Sequence, residues 1–197
     1  MIYWLGKLLL GCIAKAFFDF RVVGYENRIE SGGAVIASNH ASFMDPPLVG
    51  VAYAGDLYYL ARSTLFKGFF AWLLPHWNAV PVDRDAADLK SMKTILRTLK
   101  EGKPVLMFPE GTRTTDGNLL EAKPGVGMLI AKSGVPVQPV RVVGSFEALP
   151  RSGGVRFCPV TVYVGKAIEF DGQEFKGREG YQLIADRVME EIGKLGA

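Results

Sequence analysis

The sequence predicts an α/β fold: one domain on a mixed, mainly parallel sheet with helices on both faces, led by an N-terminal amphipathic helix lying on a membrane surface. Three observations carry this. The length of 197 residues suits one compact domain rather than two. Short apolar runs bounded by Gly and Pro alternate with segments of helical periodicity, as expected of strands joined by covering helices. The opening stretch MIYWLGKLLLGCIAKAFFDF is apolar yet interrupted by Lys7 and Lys15. No linker or repeat divides the chain, so residues 1–20 read as a membrane-association helix and residues 21–197 as the domain that follows.

The opening helix is too short to span a bilayer, since ~17 residues reach about 25 Å against a hydrocarbon core of ~30 Å. No Ala-x-Ala cleavage site follows it. On a helical wheel Lys7, Gly11, Ala14 and Lys15 share one side, opposite Ile2, Leu5, Leu9, Ala16 and Phe20. That pattern suits a helix lying in the interface, with packing on the protein's own core as the alternative. FRVVGYENRI then reads as a short strand and turn, and AVIAS, preceded by Gly32-Gly33, as a buried strand. Asp45 stands at an N-cap position with Pro46 beginning a helix. LYYLARSTLF passes from strand into helix. The apolar FKGFFAWLLPHW either joins the first helix at the bilayer or forms a core helix cut by Pro75.

From Ala86 to Lys100, Leu89, Met92, Ile95, Leu96 and Leu99 recur at helical spacing, Gly102 stops the helix, and Pro104 opens the strand VLMF. EGTR occupies the loop beyond it. A helix around GVGMLIAKS ends at Gly134, VPVQPVRVVG and VTVYVG read as buried strands, and Tyr181, Ile184, Val188 and Ile192 line one face of the last helix.

The net charge of +3 is mild and the basic residues are dispersed, which excludes nucleic acid as the expected partner and fits an anionic membrane surface. Cys12 and Cys158 follow no metal or redox spacing, so reduced thiols in a cytosolic setting are expected, at the cytoplasmic face of the cell membrane. No His/Cys/carboxylate cluster has ligand spacing, and no metal or bound cofactor is called for.

Two loops follow strands and could meet beyond their carboxyl ends, where open α/β sheets gather ligands. In NHASFMD, Asp45 lies close enough to accept from one nitrogen of His40, fixing the tautomer and leaving the other nitrogen as a base toward a substrate hydroxyl. Asp45 as a plain helix cap is the alternative. In FPEGTR, Gly111 permits a turn that other residues resist, Arg113 offers a planar fork for phosphate, and Glu110 could accept a substrate hydroxyl or hold an arginine. A polar turn without function is the alternative. Ser42, two residues after His40, could be imagined as an acylated nucleophile. Lys123 could touch an anion or simply face solvent.

NHASFMD and FPEGTR, together with NAVPVDRD and GVPVQPV in that order, resemble the glycerolipid acyltransferase family that includes 1-acyl-sn-glycerol-3-phosphate acyltransferases; YLARSTLF and AKPGVGMLIAKSGVPV are similar too. The resemblance runs from about Val23 to Lys166. It implies His40 as general base with Asp45 orienting it, and direct attack of the acceptor hydroxyl on the thioester of acyl-CoA or acyl carrier protein. It implies that Arg84, Glu110, Gly111 and Arg113 hold the glycerol phosphate, and that Pro136 shapes the last motif near the acyl donor. Arg62 stands where the family usually has lysine, keeping the charge but changing reach and hydrogen-bond geometry. AVPVDR keeps only part of the usual second motif. The acceptor so implied is lysophosphatidic acid, acylated at its second hydroxyl to phosphatidic acid. The alternatives are another acceptor within the family (glycerol 3-phosphate, a lysophospholipid or a lyso-aminolipid), a non-catalytic peripheral lipid-binding protein, or a hydrolase using the same dyad on water.

Overall fold

Sequence runs that alternate between β-branched and turn-forming residues become seven strands in one sheet. A computed structural model describes residues 2–82, 89–171 and 175–196. The strands are β1 (Arg21–Val23), β2 (Val35–Ser38), β3 (Tyr58–Arg62), β4 (Ala79–Val82), β5 (Val105–Met107), β6 (Val137–Val143) and β7 (Thr161–Val164). The helices are α1 (Ile2–Phe18), α2 (Asp45–Ala52), α3 (Phe69–His76), α4 (Leu89–Lys100), α5 (Pro124–Ser133), α6 (Ser145–Ala148) and α7 (Gly177–Lys194). The sheet order is β1-β7-β6-β2-β5-β3-β4, and every neighbouring pair is parallel except β6 with β7.

The central strand β2 is buried on both faces, which is why Val35-Ile36-Ala37 is a continuous apolar run rather than an alternating one. The period of two still sorts its side chains. Ile36 enters a core with Ala14, Phe18, Leu48 and Val49, while Val35 and Ala37 enter another with Ile95, Leu99, Ile130, Ile184 and Val188. Helices α1 and α2 therefore cover one face, and α4, α5 and α7 the other. The expected start of α4 at Ala86 lies outside the described residues. Helix α5 stops as its sequence predicts, with Gly134 in the left-handed conformation at φ 63° and its N–H bonded to the Ile130 carbonyl.

Helix α1 lays its Lys7, Gly11 and Ala14 side against the domain. A β-carbon at Gly11 would already touch Val51 of α2, and the Lys7 ammonium donates to the carbonyls of Tyr53, Ala54 and Gly55 just beyond the end of α2. Burial pulls the Lys7 pKa below its usual range. Leu5, Leu8, Leu9, Ile13 and Phe17 are left facing outward. Among the described residues no helix is long and apolar enough to cross a membrane. Helix α3 contains Pro75 and buries none of its residues, so the FFAWLLPH segment is not a core helix.

Candidate active site

Parallel strands β2, β5 and β3 end on one edge of the sheet, and His40, Asp45, Arg62 and the loop from Glu110 to Arg113 lie at or beyond those ends. Asn39 continues β2 past its end, pairing its side-chain amide with both the N–H and the carbonyl of Val142 at 2.7 and 3.0 Å. The next residue, His40, has its backbone gripped by the β5 loop. Its N–H donates to Glu110 Oε1 at 2.8 Å, and its carbonyl accepts from the Thr114 N–H at 3.0 Å.

The His40 imidazole places Nδ1 3.0 Å from Asp45 Oδ2, and that oxygen also accepts the N–H groups of Ala41 and Ser42, each at 2.7 Å. Asp45 is fully buried. Its carboxylate turns back into the loop instead of capping α2, whose N-cap position belongs to Met44. A carboxylate can only accept, so the Nδ1 proton points at it and the Nε2 lone pair is the basic one. Phe108 stacks on the imidazole with ring centres 3.9 Å apart and planes 17° apart.

Ser42 donates its hydroxyl to the Leu149 carbonyl at 2.7 Å and accepts from the Met44 N–H at 3.1 Å. It is fully buried and serves as a loop tie, a poor arrangement for a nucleophile.

His40 opens into a cleft of about 790 Å³. Arg62, Thr112, Arg113 and Arg151 are among its lining residues, and much of the rest is apolar, including Leu10 of α1, Val51 of α2, and Phe70 and Leu74 of α3. The Arg113 guanidinium lies 3.4 Å from the centre of the Phe43 ring, which holds the cation at the mouth by its face. Gly111 turns the loop at φ 70°, where a side chain would be strained. Deeper in the cleft, burial and Tyr3 hold the Tyr59 phenol well above its usual pKa, so it is neutral; its hydroxyl lies 3.4 Å from that of Tyr3.

The structure thus brings His40, Asp45, Arg62, Gly111 and Arg113 to one place and treats the others differently. Glu110 faces inward at 1 % exposure, accepting from the His40 N–H and, at 3.2 Å, from the Leu120 N–H. It joins the two motif loops instead of facing a ligand, a correction to the phosphate contact implied for it. Burial raises its pKa to about 7 against the pull of both N–H bonds. Pro136 needs correction as well. It precedes β6, and its carbonyl accepts from Val35 at the start of β2. With β2 and β6 parallel, that is the opposite end of the sheet from His40, so Pro136 does not adjoin the reacting centre. Arg84 lies outside the described residues. Lys123 is exposed and stands before α5, apart from the cleft lining.

Sequence reasoning missed Phe108, Phe43 and Arg151. Phe108 carried a signal, since it sits in the motif directly before the loop. Arg151 carried none; it follows α6, and its loop reaches the cleft because Ser42 holds the Leu149 carbonyl.

A carboxylate-oriented histidine at the strand ends, in a cleft lined by arginines and many apolar side chains, is an arrangement able to take a proton from a hydroxyl held beside an anionic group. The family model described as Acyltransferase matches residues 19–143, and the chain belongs to that family. It is similar to the chloroplastic 1-acyl-sn-glycerol-3-phosphate acyltransferase LPAT1 of Arabidopsis thaliana, 29% identical over 190 residues that make up 93% of this chain and 53% of that protein. The 1-acyl-sn-glycerol-3-phosphate acyltransferase of Pseudomonas aeruginosa is 28% identical over 188 residues, 93% of this chain and 67% of its own. The crystal structure of the 1-acyl-sn-glycerophosphate (LPA) acyltransferase PlsC from Thermotoga maritima superposes with a TM-score of 0.72 at 26% identity, covering 93% of this chain and 77% of that one. The chain spans about half the length of its plant and algal relatives.

Proposed function

We propose that the protein transfers a fatty acyl group from a thioester, acyl-CoA or acyl carrier protein, to the sn-2 hydroxyl of 1-acyl-sn-glycerol 3-phosphate. The observation that carries this reading is the His40–Asp45 pair, with its carboxylate oxygen fixed by two backbone N–H groups, opening onto a cleft lined by arginines and many apolar side chains. Arg113 and Arg62 hold the acceptor phosphate beside the turn at Gly111, with Arg84 as a further contact, and the acyl chain lies along the apolar side.

In this mechanism Nε2 of His40 takes the proton of the acceptor hydroxyl as its oxygen attacks the thioester carbonyl. The tetrahedral intermediate collapses, the C–S bond breaks, and the departing thiolate takes the proton back from the imidazolium. Ester and thiol are the products, and no acyl-enzyme forms. Asp45 stabilises the transient imidazolium. A thioester is already activated, so positioning supplies most of the rate, ~7–11 kcal/mol in favourable cases, with a base adding about 10²–10⁴-fold.

The acceptor lives in a bilayer, and the outward apolar face of α1 with exposed Phe69, Phe70 and Trp72 of α3 supports attachment of the protein at the membrane surface; the cytoplasmic side is the one that suits the free thiols of Cys12 and Cys158. The test is a panel of acceptors in vesicles with labelled acyl-CoA or acyl carrier protein, the products read by mass spectrometry. Phosphatidic acid from lysophosphatidic acid is the expected result. Turnover of another lysolipid with none of lysophosphatidic acid would move the reading to that acceptor. Free fatty acid forming equally fast without acceptor would make the protein a hydrolase.

A further inference from the structure

We infer that the loop Pro150 to Pro159 is a second lipid-contacting element, which enters the bilayer surface beside α1 and selects anionic headgroups. The inference rests on the proposed lipid acceptor, because the loop borders the mouth through which such a molecule reaches His40.

The loop is tied to the domain at Arg156 and Val160, and Arg156 itself stands between the two exposed apolar residues. The Arg156 N–H donates to the Ala148 carbonyl at 2.8 Å, and the Val160 N–H donates to the carbonyl of Phe18, the last residue of α1, at 2.8 Å. Gly153 and Gly154 take left-handed conformations at φ 91° and 88°, turning the tip outward. There Val155 is 60% exposed and Phe157 72%. A single exposed phenylalanine needs no partner, but one that joins a contiguous exposed apolar surface marks a contact site.

The occupant is indicated by continuity and by charge. The Phe157 ring lies 5.3 Å from that of Phe17, which belongs to the outward apolar face of α1, so loop and helix form one apolar surface. Arg151, at the other end of the tip, lines the cleft. From Ala148 to Ile168 the sequence has no acidic residue, Arg151 precedes Val155, and Arg156 stands between Val155 and Phe157; the nearest acid in sequence is Glu147 on α6. Residues 2–18 of α1 also lack acids, and Lys15 is its exposed cation, since Lys7 is turned to the carbonyls beyond α2. Exposed apolar side chains beside Lys15, Arg151 and Arg156, with Asp19 paired to Arg21 and Glu147 near Cys158 as the acids close by, leave a net positive apolar surface that matches a headgroup layer containing anionic lipid.

The experiment is vesicle flotation of the whole protein, with phosphatidylcholine alone and with phosphatidylcholine containing about one third phosphatidylglycerol. Val155→Ser with Phe157→Ser is expected to weaken partition to both by about tenfold or more. Arg156→Ala is expected to weaken partition to the anionic vesicles by about fivefold and leave neutral vesicles unchanged. Val155→Ser alone, tested beside an unchanged thermal midpoint, separates lost insertion from lost folding, because its side chain is exposed. Flotation requires no turnover, so it stands apart from any failure of the acyl-transfer reading. Wild-type partition by the double variant would overturn the inference, as would equal loss on both vesicle types for Arg156→Ala. Self-association in lipid-free buffer that the double variant abolishes, with partition unchanged, would make the patch a contact between copies and also overturn it.

Discussion

Asp45 Oδ2 accepts three bonds at once, from the His40 Nδ1–H and from the N–H groups of Ala41 and Ser42. Its position is therefore set by the backbone, and the histidine is aimed by an acceptor that cannot swing. Asparagine can keep an oxygen at that point with its NH₂ in the place of Oδ1, so Asp45→Asn retains the geometry and loses the charge. With no anion to stabilise the imidazolium, kcat is expected to fall about 10²–10⁴-fold while the protein stays folded, and His40→Ala is expected to fall at least as far with vesicle binding intact. Steady-state kinetics beside a flotation assay checks both. Arg113 and Lys123 divide at the same scale. Arg113 lies in the cleft wall and Lys123 outside it. Losing a charged contact to phosphate costs ~1.5–3 kcal/mol, so Arg113→Ala should raise KM for a phosphate-bearing acceptor by about 10–100-fold. Lys123→Ala should leave it unchanged, and equal effects would put the anion elsewhere.

At the scale of elements, α4, α5 and α7 were legible from periodicity because each buries one face, and β2 and β5 from short continuous apolar runs because both of their faces are buried. The meeting of the two motif loops was legible for a related reason, since both follow parallel strands. What was lost depends on contacts between distant segments. β4 contains Pro81, which argues against a strand anywhere except an edge, and β4 is the edge strand. The pairing of β1 with β7 joins residues far apart in sequence and leaves no local trace. Asp45 in a cap position was ambiguous because the same residue type serves a helix terminus and an imidazole. Pro136 misled because a motif's order in the chain does not tell which end of a strand carries the chemistry. Packing between α5 and α7 offers a test away from the site. A β-carbon on Gly127 would lie 1.8 Å from the Tyr181 carbonyl oxygen, a backbone atom that cannot rotate away. Gly127→Ala gains ~1 kcal/mol of helix propensity but forces the helices apart, and overpacking of this kind costs about 1–3 kcal/mol or more where backbone must move. Denaturant unfolding should show net destabilisation, with KM unaffected in the surviving folded enzyme.

Across the whole molecule, two apolar cores clamp the sheet from opposite faces, and the reactive groups occupy the strand-end edge, where Phe108 links the His40 ring to the core under α1 and α2. Glu110 is what makes that edge continuous, joining the His40 loop of β2 to the β5 loop and on to Leu120. Its burial gives the joint a pH signature. The carboxyl has an ordinary pKa of 4.5 in the unfolded chain and about 7 in the fold. Between those values the folded state binds the extra proton, so stability falls as pH rises through the window and the loss is complete above about pH 7. From the size of the shift, the loss is at most about 3 kcal/mol. Glu110→Gln cannot titrate, but its amide NH₂ must face one of the two backbone N–H donors, so the variant is expected to be less stable throughout. The informative quantity is the difference in unfolding free energy between wild type and variant, measured from about pH 5 to pH 8, in which the other titrating groups largely cancel. That advantage of the wild type should be greatest near pH 5 and shrink toward pH 7.5; curves that stay parallel would mean that Glu110 is already ionised in the fold at pH 5.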